Sequence, residues 1–261
     1  MDHGVNVVDT GHYAEVVLDR PPVNAVSRGM YSELVSVFRG LSARTDVHAV
    51  LLRSANEKIF SAGADIRETP EAPGDYEPAD EYRQRLARTC YEAMLDCTLP
   101  TIALVNGAAL GAGAALAACC DIRVAAESAR IGLPEINVGR CGGGRYLARL
   151  VGQGTVRMMY FTGEPIDAQQ ALAMQIVQAV HPDAVALEQA RALVESISRK
   201  SPYGLRLAKQ ALNDCEDMEL RAGYAREQQY TIRLGRTPDA AEAARAVVEK
   251  RDPVWTWNGG G

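Results

Sequence analysis

Apolar residues gather in short valine- and leucine-rich runs in the first half of the chain and in helical stripes in the second. The runs Val5 to Val8, Ala14 to Leu18 and Ala49 to Leu52 predict strands buried in a sheet. Between the second and the third, Leu34, Val37 and Leu41 recur at helical spacing, which predicts a helix over Met30 to Ala43. Residues 70 to 80, rich in proline, glycine and acids, read as a mobile acidic loop leading into a helix from about Glu81 to Asp96.

The run from Ile102 to Cys120 carries no charge and approaches the length of a membrane span. It contains Asn106, Gly107, Gly111 and Gly113, and its alanines gain little on transfer to lipid. A buried strand at Ile102 to Val105, a tight loop and an alanine-rich helix fit it better, with a further strand at Ile122 to Ala125. From Gln153 onward the pattern is mainly helical. Leu187, Ala190, Val194 and Ile197 form one stripe; Ser201-Pro202 then supplies an N-cap and a first-turn proline for a helix carrying Leu205, Ala208 and Leu212. The sum is an α/β core, residues 1–195, and a C-terminal helical region, 196–261, whose apolar stripes need cover from the core or from a neighbouring subunit.

Composition narrows the class. The 261 residues are 47% apolar, enough for one large core, and the net charge of −5 is dispersed, which disfavours nucleic acid as a partner. Six cysteines show no C-x-x-C spacing and the four histidines lie far from them, so no metal is implied. The first residues lack a secretory pattern, the last lack a peroxisomal tripeptide, and free thiols suit a reducing compartment. A soluble cytoplasmic enzyme without a membrane anchor is the expectation.

Candidate chemistry lies in three stretches. Phe60-Ser61-Ala62-Gly63-Ala64-Asp65-Ile66 and Gly107 to Ala117 place small side chains at turns, where a ligand could press against backbone N–H groups. Two such donors could stabilise negative charge on a carbonyl oxygen by several kcal/mol, on the order of 2.7–4 kcal/mol for each one lost. Close helix packing is the plainer use of small residues. A dinucleotide loop is disfavoured, because Leu116 stands where G-x-G-x-x-G requires glycine. In Ile131-Gly132-Leu133-Pro134-Glu135-Ile136 a lone carboxylate sits in an apolar run. Burial would raise its pKa and make Glu135 a proton carrier; solvation after the proline is the ordinary alternative.

Taken in order, FSAGADI, NGAALGAGAALAACCDIRVAAE, GLPEINVG and EKRDPVW resemble the enoyl-CoA hydratase/isomerase (crotonase) family over nearly the whole chain. The resemblance implies a spiral of ββα units with C-terminal helices that build trimers or hexamers. It implies an acyl-CoA thioester substrate, with coenzyme A as part of the substrate and no separate cofactor. By position, the N–H groups of Ala64 and Ala112 would hold the thioester oxygen. Ala62, Asp65 and Ile66 would line the adenine pocket, and Arg67 would lie near the ribose phosphate.

The resemblance also has departures. Family hydratases hold water and deliver a proton with two glutamates; the position of the first is Ala115 here, and only the second, Glu135, is present. One carboxylate suffices to move a proton between two carbons of a dienolate, so double-bond isomerisation is expected ahead of hydration. Decarboxylation, hydrolytic C–C cleavage and a non-catalytic acyl-CoA-binding subunit are the alternatives. The loop after Glu135 is shortened to Val138 to Arg145, which could bring Arg140 or Cys141 to the acyl group, although exposed arginines ordinarily stay solvated or pair with acids. An RNA-binding role would want a lysine-rich helix, and Glu81 to Asp96 offers only Arg83, Arg85 and Arg88 as basic residues.

Overall fold

The structure is a computed structural model that describes residues 4–68 and 79–256. Residues 70–78 of the predicted acidic loop lie outside the described residues.

β1 (Val5–Asp9) and β2 (Tyr13–Leu18) pair antiparallel, with Val5 opposite Leu18. α1 (Arg28–Ala43) begins at Ser27, whose hydroxyl accepts from the Met30 amide and so satisfies one orphan donor of the first turn. β3 (Ala49–Ser54), β4 (Ile59–Ser61) and α2 (Ala79–Leu95) follow. Next come β5 (Thr101–Val105), β6 (Ala108–Leu110), α3 (Ala112–Ala118), β7 (Ile122–Ala126) and β8 (Arg130–Gly132). The uncharged run from Ile102 is thus strand, strand and helix. No helix among the described residues is long and apolar enough to cross a membrane. β6 escaped the sequence pattern because three residues are too few to display a period.

After a 3-10 turn at Pro134–Val138 the chain forms α4 (Gly144–Leu147), α5 (Gln153–Thr162), β9 (Ile166–Asp167), α6 (Ala168–Ala173), β10 (Ala179–His181) and α7 (Asp183–Ser198). One sheet has the order β1-β2-β3-β5-β7-β10 and the other β4-β6-β8-β9. Both are parallel except at the β1–β2 and β8–β9 pairs. The successive pairs β3/β4, β5/β6 and β7/β8 each give their first strand to the large sheet and their second to the small one. Repetition of that step makes the spiral, and it stacks the ends of β4, β6 and β8 beside one another.

The large sheet is covered on both faces, which explains its nearly continuous apolar strands. Met30, Leu34 and Phe38 of α1 pack with Phe60 and Leu116 in one core. Ala186, Ala190 and Val194 of α7 cover Leu51, Ile102, Leu104 and Val124 on the opposite face. Glu15 of β2 is fully buried and bound by Arg53 at 2.6 Å and Arg191 at 2.6 Å. Burial pushes the Glu15 carboxyl up, but the two guanidinium groups outweigh it and hold it below the usual carboxylate range.

α8 (Pro202–Cys215), α9 (Leu220–Gly235) and α10 (Pro238–Glu249) complete the chain, with Leu207, Ala211 and Tyr230 in a small cluster of their own. The Ser201 cap forms as predicted, its hydroxyl accepting from the Gly204 amide. The buried face of α8 differs from the predicted one: Leu207 and Ala211 are inside and Leu212 is 69% exposed. Lys209 decides this rotation. It is buried, with its ammonium 2.8 Å from Asp121 and donating to the Leu99 carbonyl at 3.0 Å, and an ion so paired fixes which side of α8 faces the core.

Candidate active site

A cavity of about 630 Å³ opens where the ends of β4 and β6, the start of α3 and the turn after β8 converge, walled on its other side by α2 and Tyr31 of α1. Every predicted site residue borders it: Ala62, Ala64, Asp65, Ile66, Arg67, Ala112 and Glu135.

The backbone at the bottom of the cavity is shaped by two glycines. Gly63 has φ +100°, and a Cβ there would come within 3.0 Å of the Leu110 carbonyl oxygen and 3.7 Å of the Ala112 nitrogen. Gly111 has φ +54°, and a Cβ there would come within 2.8 Å of Glu135 Oε1. Left-handed φ and close approach both exclude a side chain at these positions, which lets the two chain segments and the carboxylate meet.

The same geometry leaves two N–H groups without partners. Val26 and Ala64 form an isolated parallel bridge, in which the Val26 amide donates to the Gly63 carbonyl at 2.8 Å and the Asp65 amide to the Val26 carbonyl at 3.0 Å. The flanking residues thus make the bonds, and the Ala64 N–H points away from them. Ala112 is the first residue of α3, where an amide has no acceptor one turn earlier. Among the described residues neither N–H has a hydrogen-bond acceptor. Two free donors at one cavity are suited to hold a developing oxyanion.

Glu135 stands beside them in the 3-10 turn, half-buried. Its Oε2 is buried without a hydrogen-bond partner among the described residues. Burial pushes the carboxyl up from its ordinary value, and a hydrogen bond from its own backbone amide offsets this in part. Ala115, one turn into α3, is fully buried. A Cβ on Gly143 would lie 3.6 Å from Ala115 Cβ and 3.7 Å from Glu135 Oε1, so positions 115 and 135 face one point from two sides. Only one of them carries a charge.

A carboxyl that holds its proton more tightly in the folded chain than in the unfolded one costs stability as pH rises from the unfolded pKa towards the folded pKa. The expected result is that Glu135→Gln melts higher than the wild type at pH 7 and together with it at pH 4. Scanning calorimetry at the two pH values reads this directly; equal melting temperatures at pH 7 would mean that Glu135 is solvated.

The proposed nucleotide-side residues are arranged around Asp65. Its carboxylate is 2.8 Å from Arg20 and 3.3 Å from Arg67 Nε, and it also accepts from the Arg67 amide at 3.1 Å. Desolvation alone would raise its pKa, but the Arg67 amide and the Arg20 guanidinium lower it further than burial raises it. Ile66 is 72% exposed at the rim.

The loop after Glu135 brings both Arg140 and Cys141 to the cavity. Arg140 also pairs with an acid, Asp80, at 3.1 Å. The Gly142 amide donates to the Tyr160 hydroxyl, and burial raises that phenol's pKa, with Glu135 adding to it.

The sequence pattern missed Tyr31 and Tyr91, whose hydroxyls are 3.4 Å apart at the inner wall. Burial pushes Tyr31 up to about 12 and Tyr91 well above its ordinary value. A hydroxyl on the buried stripe of α1 was the available signal, since Tyr31 lies one turn before Leu34 on the face that also buries Phe38.

A spiral of strand pairs through two sheets, with two free backbone donors and the Glu135 carboxylate at one cavity, defines the class of fold and site. The chain belongs to the enoyl-CoA hydratase/isomerase (crotonase) family, whose model matches residues 10–258. It is 38% identical to 2,3-dehydroadipyl-CoA hydratase of Escherichia coli (strain K12) over 91% of this chain and 92% of that protein. It is 34% identical to (7aS)-7a-methyl-1,5-dioxo-2,3,5,6,7,7a-hexahydro-1H-indene-carboxyl-CoA hydrolase of Rhodococcus jostii (strain RHA1), over 91% of each. The crystal structure of an enoyl-CoA hydratase from Bacillus anthracis superposes with a TM-score of 0.91 at 32% identity, covering 98% of this chain and 100% of that one. This chain is therefore a crotonase-fold enzyme acting on CoA thioesters. The relatives' names favour water addition and hydrolysis over isomerisation.

Proposed function

We propose that the enzyme forms a thioester enolate between the N–H groups of Ala64 and Ala112 and moves its proton with Glu135 alone, shifting a 3,4 double bond into conjugation. The carrying observation is the buried, partnerless Oε2 of Glu135 beside the Gly111–Ala112 junction, with alanine at 115. Glu135 as carboxylate takes a proton from C2 of a 3-enoyl thioester, and the electron pair passes to the thioester oxygen, where the two N–H groups meet it. The electrons then return through the diene and C4 takes the proton back from Glu135. A raised pKa suits a group that must both accept and return a proton near neutrality. Ala62, Asp65, Ile66 and Arg67 serve the nucleotide end of CoA.

Hydration is the second reading, favoured by the name of the 38% identical Escherichia coli protein. It requires a group other than residue 115 to hold water. Turnover of matched 3-enoyl-CoA and 2-enoyl-CoA substrates separates the readings. Conversion of the first at least tenfold faster supports isomerisation, and faster hydration of the second overturns it.

The C-terminal helices expose Leu220 and Val248, each 82% accessible, and Val247, 78% accessible. These apolar positions support assembly into a homotrimer or hexamer; a monomer in sedimentation velocity would contradict it.

A further inference from the structure

We propose that the acyl pocket is built for a chain that ends in a carboxylate, so that the substrate class is an ω-carboxyacyl-CoA. The inference rests on the acyl-CoA reading above and adds the acyl group's far end.

α2 presents one face to the cavity, and that face changes character along its length. Tyr91 and Ala87 supply the apolar part. About one turn nearer the helix start than Ala87 stand Gln84 and Arg83, both at the cavity wall. Eight residues separate Tyr91 from Arg83, a rise of about 12 Å along the helix. A neutral alkyl chain gains nothing from a guanidinium at the end of such a wall.

A second cation arrives from a different element. Arg140, in the shortened loop after Glu135, also borders the cavity and pairs with Asp80 Oδ2 at 3.1 Å, while Arg83 pairs with Asp80 Oδ1 at 3.1 Å. Among the described residues two guanidinium groups thus share one carboxylate, an excess of one positive charge. Asp80 is 58% exposed, whereas the Arg83 side chain is 19% exposed. An incoming carboxylate can therefore meet Arg83 on its desolvated side, where a charge-assisted bond is strongest, while Asp80 turns to water.

These cations lie with the proposed proton carrier: the Arg140 amide donates to the Glu135 carbonyl at 3.0 Å, and Tyr91 of α2 meets Tyr31 at the same wall. The proposed nucleotide side, with Asp65 and Arg67, is a separate cluster in which Asp65 is already held by Arg20 and Arg67.

The test is equilibrium binding by calorimetry of a saturated six-carbon acyl-CoA and its ω-carboxy counterpart to the whole protein, beside Arg83→Gln and Arg140→Gln. The wild type is expected to bind the carboxylated ligand about tenfold more tightly. Each variant is expected to lose affinity for it at least fivefold more than for the neutral ligand. Equal affinity in the wild type, or a loss in both variants that is the same for both ligands, overturns the proposal and leaves the acyl-CoA reading intact. Failure of the wild type to bind either ligand overturns the acyl-CoA reading as well. Circular dichroism of each variant, run beside the calorimetry, distinguishes misfolding from an equal loss of affinity for both ligands.

Discussion

Glu135→Gln is expected to lower kcat by about 10³–10⁴-fold, the upper part of the range for loss of a general acid–base group. Glutamine keeps the shape and the contact with Gly111 but cannot accept a proton. The size follows from position 115, where alanine leaves no second carboxylate to take over the transfer. A relative with two carboxylates at these positions would retain part of its exchange chemistry after losing one. The loss should fall on kcat rather than on ligand affinity, since the donors at Ala64 and Ala112 remain. Steady-state kinetics on the better of the two enoyl substrates reads both parameters. A loss below tenfold would place the proton transfer elsewhere.

Ala112→Pro is expected to cost about 10²–10³-fold in kcat, the range for deletion of one oxyanion donor. The first position of a helix tolerates proline, because its N–H is unused by the helix and its φ is already near the proline value. The substitution therefore removes the donor while α3 keeps its remaining bonds, such as the Ala115 amide to the Gly111 carbonyl at 3.0 Å. Retained helical circular dichroism with the predicted loss of kcat would identify the N–H as the functional group. Activity within tenfold of the wild type would show that the thioester oxygen lies elsewhere.

Much of this site was legible because its parts are local. Gly63 and Gly111 are small where chain segments meet, Ala112 opens a helix, and Glu135 follows a proline in an apolar run; each is visible within a few residues of sequence. Their convergence comes from the spiral, which stacks the ends of β4, β6 and β8, and no single stretch contains that information. The chain-wide order of motifs conveyed it only through resemblance to a family.

The missed features are those that depend on which helix face meets which wall. Tyr31 reads as one more member of an apolar stripe until α2 brings Tyr91 to within 3.4 Å of its hydroxyl. Arg83 reads as a solvated cation of an exposed helix until the loop carrying Arg140 closes on Asp80. On α8, apolar spacing predicted Leu205, Ala208 and Leu212, but the pairing of buried Lys209 with Asp121 sets the rotation. Charged residues are ordinarily assigned to solvent, so a buried lysine misleads any reading based on hydrophobic period.

The most direct test of enolate formation is deuterium uptake at C2 of a saturated acyl-CoA incubated with the enzyme in D2O and followed by NMR. Such a thioester can lose and regain its C2 proton but has no double bond to move or hydrate, so it isolates the step assigned to Ala64, Ala112 and Glu135. Exchange by the wild type that disappears in Glu135→Gln is the predicted result. No exchange by the wild type, or exchange undiminished in the variant, would contradict an enolate whose proton is carried by Glu135.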